Sequence, residues 1–221
     1  EQNNIVKVIR DVREHLPHCD ILVINDCSKD NTSNIAKQAE GVHVVDLPYN
    51  LGIGGAVQTG FKYANTHGYS YMVQIDGDGQ HLPREVGKLH TFMLQTGNDM
   101  VIGSRFLDIK SFQTTWSRRM GIKVFYYLFR LLIQTKITDG TSGFRMYNRK
   151  SIELLSQFYP DDYPEPDAII LLSKHGLRIG EIGVEREHGV SSITPIKSPY
   201  YMTKVIMSIL FSYSRTRTRT R

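Results

Sequence analysis

Apolar residues Ile5, Val8, Ile9, Val12 and Leu16 recur at helical spacing, so the chain opens on an amphipathic helix. Ile21–Ile24 is a continuous apolar run that ends in Asn25-Asp26-Cys27-Ser28-Lys29-Asp30-Asn31-Thr32. It predicts a buried parallel strand, a polar loop, and a helix capped near Asn31 or Thr32. Val42–Val45 reads as a second short strand closed by Asp46, and Asn50-Leu-Gly52-Ile-Gly54-Gly55 leads into a helix through Ala64. Tyr71–Ile75 and the run from Asp99 to Arg105, with its basic end, are two further strands, with a helix between them from about Pro83. Thr138 to Arg145 predicts a polar loop into a short strand, and Ala168–Lys174 a helix with Glu165 and Asp167 at its start. Strand–helix alternation at this spacing predicts an α/β fold, a mostly parallel sheet flanked by helices. Such a domain ordinarily starts on a strand, so the sheet is expected to lack its N-terminal strand.

Ile122–Ile133 is aromatic and aliphatic, broken only by Lys123 and Arg130, and fits either a buried helix or one that touches lipid. Pro199 to Tyr213 carries Tyr201, Val205, Ile206, Ile209 and Leu210 as an apolar face with Lys204 opposite. Residues 1–198 are thus expected to form the main domain, 199–214 an amphipathic helix, and 215–221 a basic Arg/Thr tail. With that tail behind it, the helix fits an anionic bilayer surface, or packs on the domain as a plain terminal helix. The length of 221 residues, 40% hydrophobic and 22% charged, suits one large domain. Four of the +5 formal charges lie in the tail, and the near-neutral body argues against a nucleic-acid partner. Cys19 and Cys27 have no metal-ligand spacing and read as reduced thiols. No apolar run approaches the roughly 18 residues of a spanning helix.

The chemistry concentrates at Gln74-Ile-Asp76-Gly-Asp78-Gly-Gln80-His81. Alternation puts Asp76 and Asp78 on one side of an extended chain. Carboxylates that close repel unless a cation lies between them, and the intervening glycines let an anionic ligand approach. This suggests a Mg²⁺- or Mn²⁺-dependent phosphate site. A plain polar turn after a strand has the same letters. An EF-hand is excluded, because His81 and Gly87 stand where that loop needs glycine and glutamate. In doubly wound sheets ligands bind beyond the carboxyl ends of the strands, where Asp26, Asp76, Asp78 and Arg105 all fall.

Val23-Ile-Asn-Asp26-Cys-Ser-Lys-Asp-Asn-Thr32, Asn50-Leu-Gly52, Asp76-Gly-Asp78-Gly-Gln80, Gly103-Ser-Arg105 and Asp139-Gly-Thr-Ser-Gly-Phe-Arg145 together resemble, in that order, the family 2 glycosyltransferases of GT-A fold. Tyr159-Pro-Asp-Asp-Tyr-Pro-Glu-Pro166, Ser191-Ser-Ile and Tyr200-Tyr-Met are similar to bacterial undecaprenyl-phosphate N-acetylglucosaminyltransferases, some of which act beside a small membrane protein. The resemblance implies inverting transfer from a UDP-sugar, UDP-N-acetylglucosamine or UDP-glucose, to a polyprenyl phosphate at the cytoplasmic face of the bacterial plasma membrane. It implies nucleotide contacts from Asp26, Ser28, Asn50, Gly52, Gly55 and Asp76, and a Mg²⁺ or Mn²⁺ ion on Asp78 with Asp76. Glu165 falls where inverting relatives place a general base, with Asp167 second, and Arg105 or Arg145 would stabilise the leaving diphosphate. Arg118, Arg119, Arg186 and His188 are candidates for the acceptor phosphate. Cys27 stands where the family often has glycine. A glycan acceptor and a non-catalytic nucleotide-sugar-binding module are the alternatives. A phosphatase reading fails because Asp161-Asp162 lies in a proline-rich loop and not at a strand end.

Overall fold

The computed structural model describes residues 1–107, 116–160, 164–187, 203, 204, 206 and 207, the backbone alone for 116–122. In chain order the elements are α1 (Ile5–His15), β1 (Ile21–Asn25), α2 (Thr32–Lys37), β2 (Val42–Asp46), α3 (Gly52–Thr66), β3 (Tyr71–Gln74), a 3₁₀ turn at Pro83–Glu85, and α4 (Val86–Thr96). They continue as β4 (Met100–Ser104), α5 (Trp116–Ile133), β5 (Arg145–Asn148), α6 (Arg149–Gln157), α7 (Pro164–Lys174) and β6 (Ile179–Gly183). Helix α7 begins four residues before the expected start, so Glu165 and Asp167 lie inside its first turn, where acids complement the helix dipole. Of the expected C-terminal helix only 203, 204, 206 and 207 are described, all helical; the basic tail lies outside the described residues.

Strands β1 and β2 pair in parallel, and a separate four-stranded sheet has the order β3-β5-β4-β6. Strand β5 is antiparallel to both its neighbours, whereas β4 and β6 are parallel. The expected parallel set is therefore present with one reversed strand inserted between β3 and β4. That reversal decides where the site forms, because β5 starts where β3 and β4 end.

Alternation along the central strands builds two cores. Met100 and Ile102 of β4 and Tyr147 of β5 face a cluster with Phe61, Phe129, Ile152, Leu155 and Ile169, under α3, α5, α6 and α7. Val101, Met146 and Phe144 face Leu89, Met93 and Val184 under α4. Strand β4 is buried at all five positions, as its unbroken apolar run requires of a strand covered on both faces.

Strand β1 departs from that pattern. Its Ile21–Ile24 are only partly buried, because among the described residues β1 pairs on one edge only, as does β3. Helix α3 touches both β1 and β3, and the Tyr69 hydroxyl donates to Asp20 at 2.7 Å, so the two sheets remain tied together.

Candidate active site

The register of the sheet assembles the site. Arg145, the first residue of β5, lies opposite Gln74 at the end of β3 and opposite Ile102 near the end of β4. Strand β6 runs with β4, so its carboxyl end and the residues after it arrive at the same edge. The loop after β3 (residues 75–81), Arg105, the 138–144 loop, the start of α7 and Arg186 therefore converge.

The loop after β3 is shaped by its own polar groups. Asp78 accepts from the Gln80 backbone N–H at 2.9 Å and from its side-chain amide at 2.7 Å. The imidazole of His81 is buried and stacks on Phe144 with centroids 5.1 Å apart. Its Nδ1 accepts the Asp76 backbone N–H at 3.1 Å, which requires a neutral ring protonated at Nε2. Burial, then the charge of Arg186, pushes the His81 pKa down to about 4. Across the pocket Gly143 packs on the Asp76 carboxylate: a Cβ there would lie 3.0 Å from Oδ2. Desolvation raises the Asp76 carboxyl above its usual range, opposed by Arg186 and other cations. Arg186 donates to the Gln80 side chain at 2.6 Å, and its Nε is buried without a hydrogen-bond partner among the described residues.

The basic wall is held by two acids that sequence reasoning did not select. Asp139 is 1% exposed and accepts the Arg105 backbone N–H at 3.0 Å and its Nε at 2.6 Å. This two-pronged pair, which also engages Arg105 Nη2, fixes the guanidinium plane. Glu181 of β6 accepts from the backbone N–H groups of Thr138 and Asp139 at 2.8 and 2.7 Å, holding that loop in place. Burial raises the Glu181 carboxyl, and those hydrogen bonds oppose the shift. The one sequence signal for Glu181 was a lone acid inside an apolar strand; its partners lie more than 40 residues away.

Arg145 has a different setting from the one expected. It is fully buried, and its guanidinium donates to the carbonyls of Ser142, Glu165 and Gly140 at 2.6, 2.6 and 2.8 Å. It ties the 140–142 loop to the first turn of α7, and so positions Glu165. The Glu165 carboxyl is raised by burial, opposed by Arg145 and reinforced by Asp76. Asp167 is buried in the same first turn of α7.

At the end of β1, Asp26 accepts the Leu51 N–H at 2.7 Å, and its carbonyl accepts from the Asn50 side chain at 3.2 Å. Asn50 in turn accepts from Gly52, whose φ of +74° suits glycine. Gly55 lies in the first turn of α3, and exposed Ser28 donates its N–H to Asn25 at 3.2 Å. Asp26, Asn50 and Gly52 form one hydrogen-bonded ledge, while Gln2 binds the loop before α2, accepting from the Asn31 N–H and donating its own N–H to Asp30. His188 and the side chains of Arg118 and Arg119 lie outside the described residues.

The expected divalent ion fits this donor set. Asp76 and Asp78 are hard oxygen donors, and Mg²⁺-type sites typically combine one or two carboxylates with water and substrate phosphate oxygens. Among the described residues no cluster of three or more His, Cys, Asp or Glu is placed to hold a metal alone, so the remaining donors would come from a ligand. Arg186, whose Nε has no hydrogen-bond partner among the described residues, and Arg105 lie at the same sheet edge as these carboxylates. Among the described residues, no helix is long and apolar enough to cross a membrane.

The family model described as glycosyl transferase family 2 matches residues 1–155. The chain is 31% identical to the undecaprenyl-phosphate mannosyltransferase of Micrococcus luteus, over 83% of this chain and 79% of that one. It is 28% identical to the UDP-N-acetylglucosamine–dolichyl-phosphate N-acetylglucosaminyltransferase of Methanococcus voltae, over 84% and 81%. Among solved structures, glucosyl-3-phosphoglycerate synthase from Mycobacterium tuberculosis, in complex with Mn²⁺, UDP and phosphoglyceric acid, aligns with a TM-score of 0.69. That alignment covers 96% of this chain and 74% of the other at 20% identity, a likeness of fold.

Proposed function

The chain belongs to glycosyl transferase family 2 and has its GT-A fold, and on that footing we propose that it transfers one sugar from a UDP-sugar to undecaprenyl phosphate with inversion. UDP-N-acetylglucosamine is the first donor to test, UDP-glucose the second. The observation that carries this reading is the convergence of Asp76, Asp78, Arg105, Arg186 and Glu165 on one sheet edge. The relatives named for undecaprenyl and dolichyl phosphate support the acceptor.

In this mechanism the C1–O bond to UDP breaks with its electron pair left on the β-phosphate. A phosphate oxygen of the lipid forms the new bond to C1 from the opposite face. Arg105, oriented by Asp139, and Arg186 meet the charge that develops on the leaving diphosphate. A divalent ion on Asp78 and Asp76, Mg²⁺ or Mn²⁺, would supply further electrostatic stabilisation when bound. The acceptor is already an oxyanion, so Glu165 has no proton to remove and orients the acceptor or a sugar hydroxyl. Asp26 and the Asn50–Gly55 ledge hold the nucleoside. The lipid acceptor places the reaction at the cytoplasmic membrane face, with the protein bound peripherally.

Calorimetry with UDP, with and without Mn²⁺, tests the donor site, and radiolabelled sugar extracted into organic solvent tests the acceptor. Metal-dependent UDP binding and a lipid-extractable product are expected, with turnover lowered at least about a hundredfold in Asp78→Asn. Equal UDP binding with and without metal, or unchanged turnover in Asp78→Asn, would overturn the reading. A second reading, a mannosyl donor, is favoured by the relatives named for mannose transfer, and a product made only from a mannosyl donor would select it.

A further inference from the structure

Two stretches, 109–138 and 188–221, hold twelve of the 27 Lys and Arg residues and none of the 22 Asp and Glu. The rest of the chain therefore carries a formal charge of −7, so the basic character of the protein is confined to these stretches. The described part of the first is α5 with the segment that follows it. Phe125 and Phe129 of α5 are buried in the main core. On the opposite face Lys123, Tyr127, Arg130, Leu131 and Gln134 form a stripe at helical spacing, all exposed. Tyr127 is 65% and Leu131 80% exposed, large apolar groups that a solvated helix face does not need. The second stretch reaches the same core through Ile206, while Lys204 and Met207 stay exposed.

We propose that the outer face of α5 is the surface by which this protein docks on an anionic lipid bilayer, with Tyr127 and Leu131 entering the headgroup layer and Lys123 and Arg130 meeting the lipid phosphates. The proposal rests on the polyprenyl-phosphate reading, since a lipid acceptor has to be met at a bilayer. An amphipathic face of aromatic, aliphatic and basic side chains with no acid is the composition that lies in a membrane interface. A second copy of the chain is the poorer occupant, because two such faces would bring like charges together. The −7 remainder would be repelled by the same bilayer, so charge orients the molecule with α5 inward.

The test is co-sedimentation of the purified chain with vesicles of phosphatidylcholine alone or of equal parts phosphatidylcholine and phosphatidylglycerol, across a salt series. Wild type and the double variant Tyr127→Ser with Leu131→Ser are compared, and both are assayed for transfer to a short-chain, water-soluble polyprenyl phosphate. Wild type is expected to pellet with the anionic vesicles only and to be released by salt. The variant is expected to bind them at least about tenfold more weakly, to melt at the wild-type temperature, and to glycosylate the short-chain acceptor at the wild-type rate. Wild-type vesicle binding by the variant, or no preference for the anionic vesicles, overturns the docking surface. Loss of self-association in the variant without a change in vesicle binding would overturn it in favour of a second copy. Absence of short-chain product with wild type and every donor tested would instead strike the proposed reaction, whatever the vesicles show.

Discussion

Lowering pH should loosen this fold through His81. The ring is buried, and its Nδ1 lone pair accepts the Asp76 N–H, so protonation would break that hydrogen bond and place a cation beside Arg186. Its pKa is pushed from 6.5 down to about 4 in the folded chain. Above 6.5 the ring is neutral both folded and unfolded, and the pH has no leverage through it. Between 6.5 and about 4 the unfolded chain takes up a proton that the folded chain refuses, so stability falls as pH falls. Each pH unit costs about 1.4 kcal/mol, giving a loss of about 3 kcal/mol across the window. Set against a total of roughly 5–15 kcal/mol for a domain, that is a large fraction. Asp76, Glu165 and Glu181 are raised by burial and contribute the opposite slope. Their effect cancels to first order when wild type is compared with His81→Asn, which keeps an acceptor near Nδ1 and does not titrate. Urea denaturation of both proteins across that window gives the difference directly. Wild type should lose about 3 kcal/mol relative to the variant on acidification; a difference that stays flat would refute the reasoning.

Two further substitutions test the geometry. Gly143→Ala puts a Cβ 3.0 Å from the Asp76 carboxylate, which must then move; turnover should fall by about ten- to a hundredfold with the melting temperature little changed, and wild-type turnover would show that Asp76 needs no such wall. Cys27 holds a φ of +60° in the loop after β1, so Cys27→Gly should gain about 1 kcal/mol and raise Tm by about 2–4 °C; a lower Tm in thermal denaturation would refute the strain.

The elements themselves were largely legible. Helix α1, strands β1 to β4 and helix α3 follow from local periodicity, which depends only on which neighbours along the chain share a face. Strand β6 and helix α6 drew no expectation. Arg145 was recognisable as a residue of the site, but its burial against three carbonyls was not, since nothing local distinguishes a guanidinium that meets a ligand from one that pins a loop. The apolar run of α5 read equally well as buried or lipid-facing, and the fold divides it: Phe125 and Phe129 inward, Tyr127 and Leu131 outward.

By itself the sequence determined the order of strands and helices up to β5, the D-x-D loop with its glycines, and the motif series that identifies the family. Those are short-range properties, set by dihedral preference, side-chain periodicity and residue chemistry. Only the tertiary structure decided that β5 runs backwards between β3 and β4, that Asp139 and Glu181 brace Arg105 and its loop, and that Gly143 makes room for Asp76. Each joins residues between 34 and 77 positions apart, and such contacts depend on how strands register across a sheet, which no stretch of the chain specifies alone.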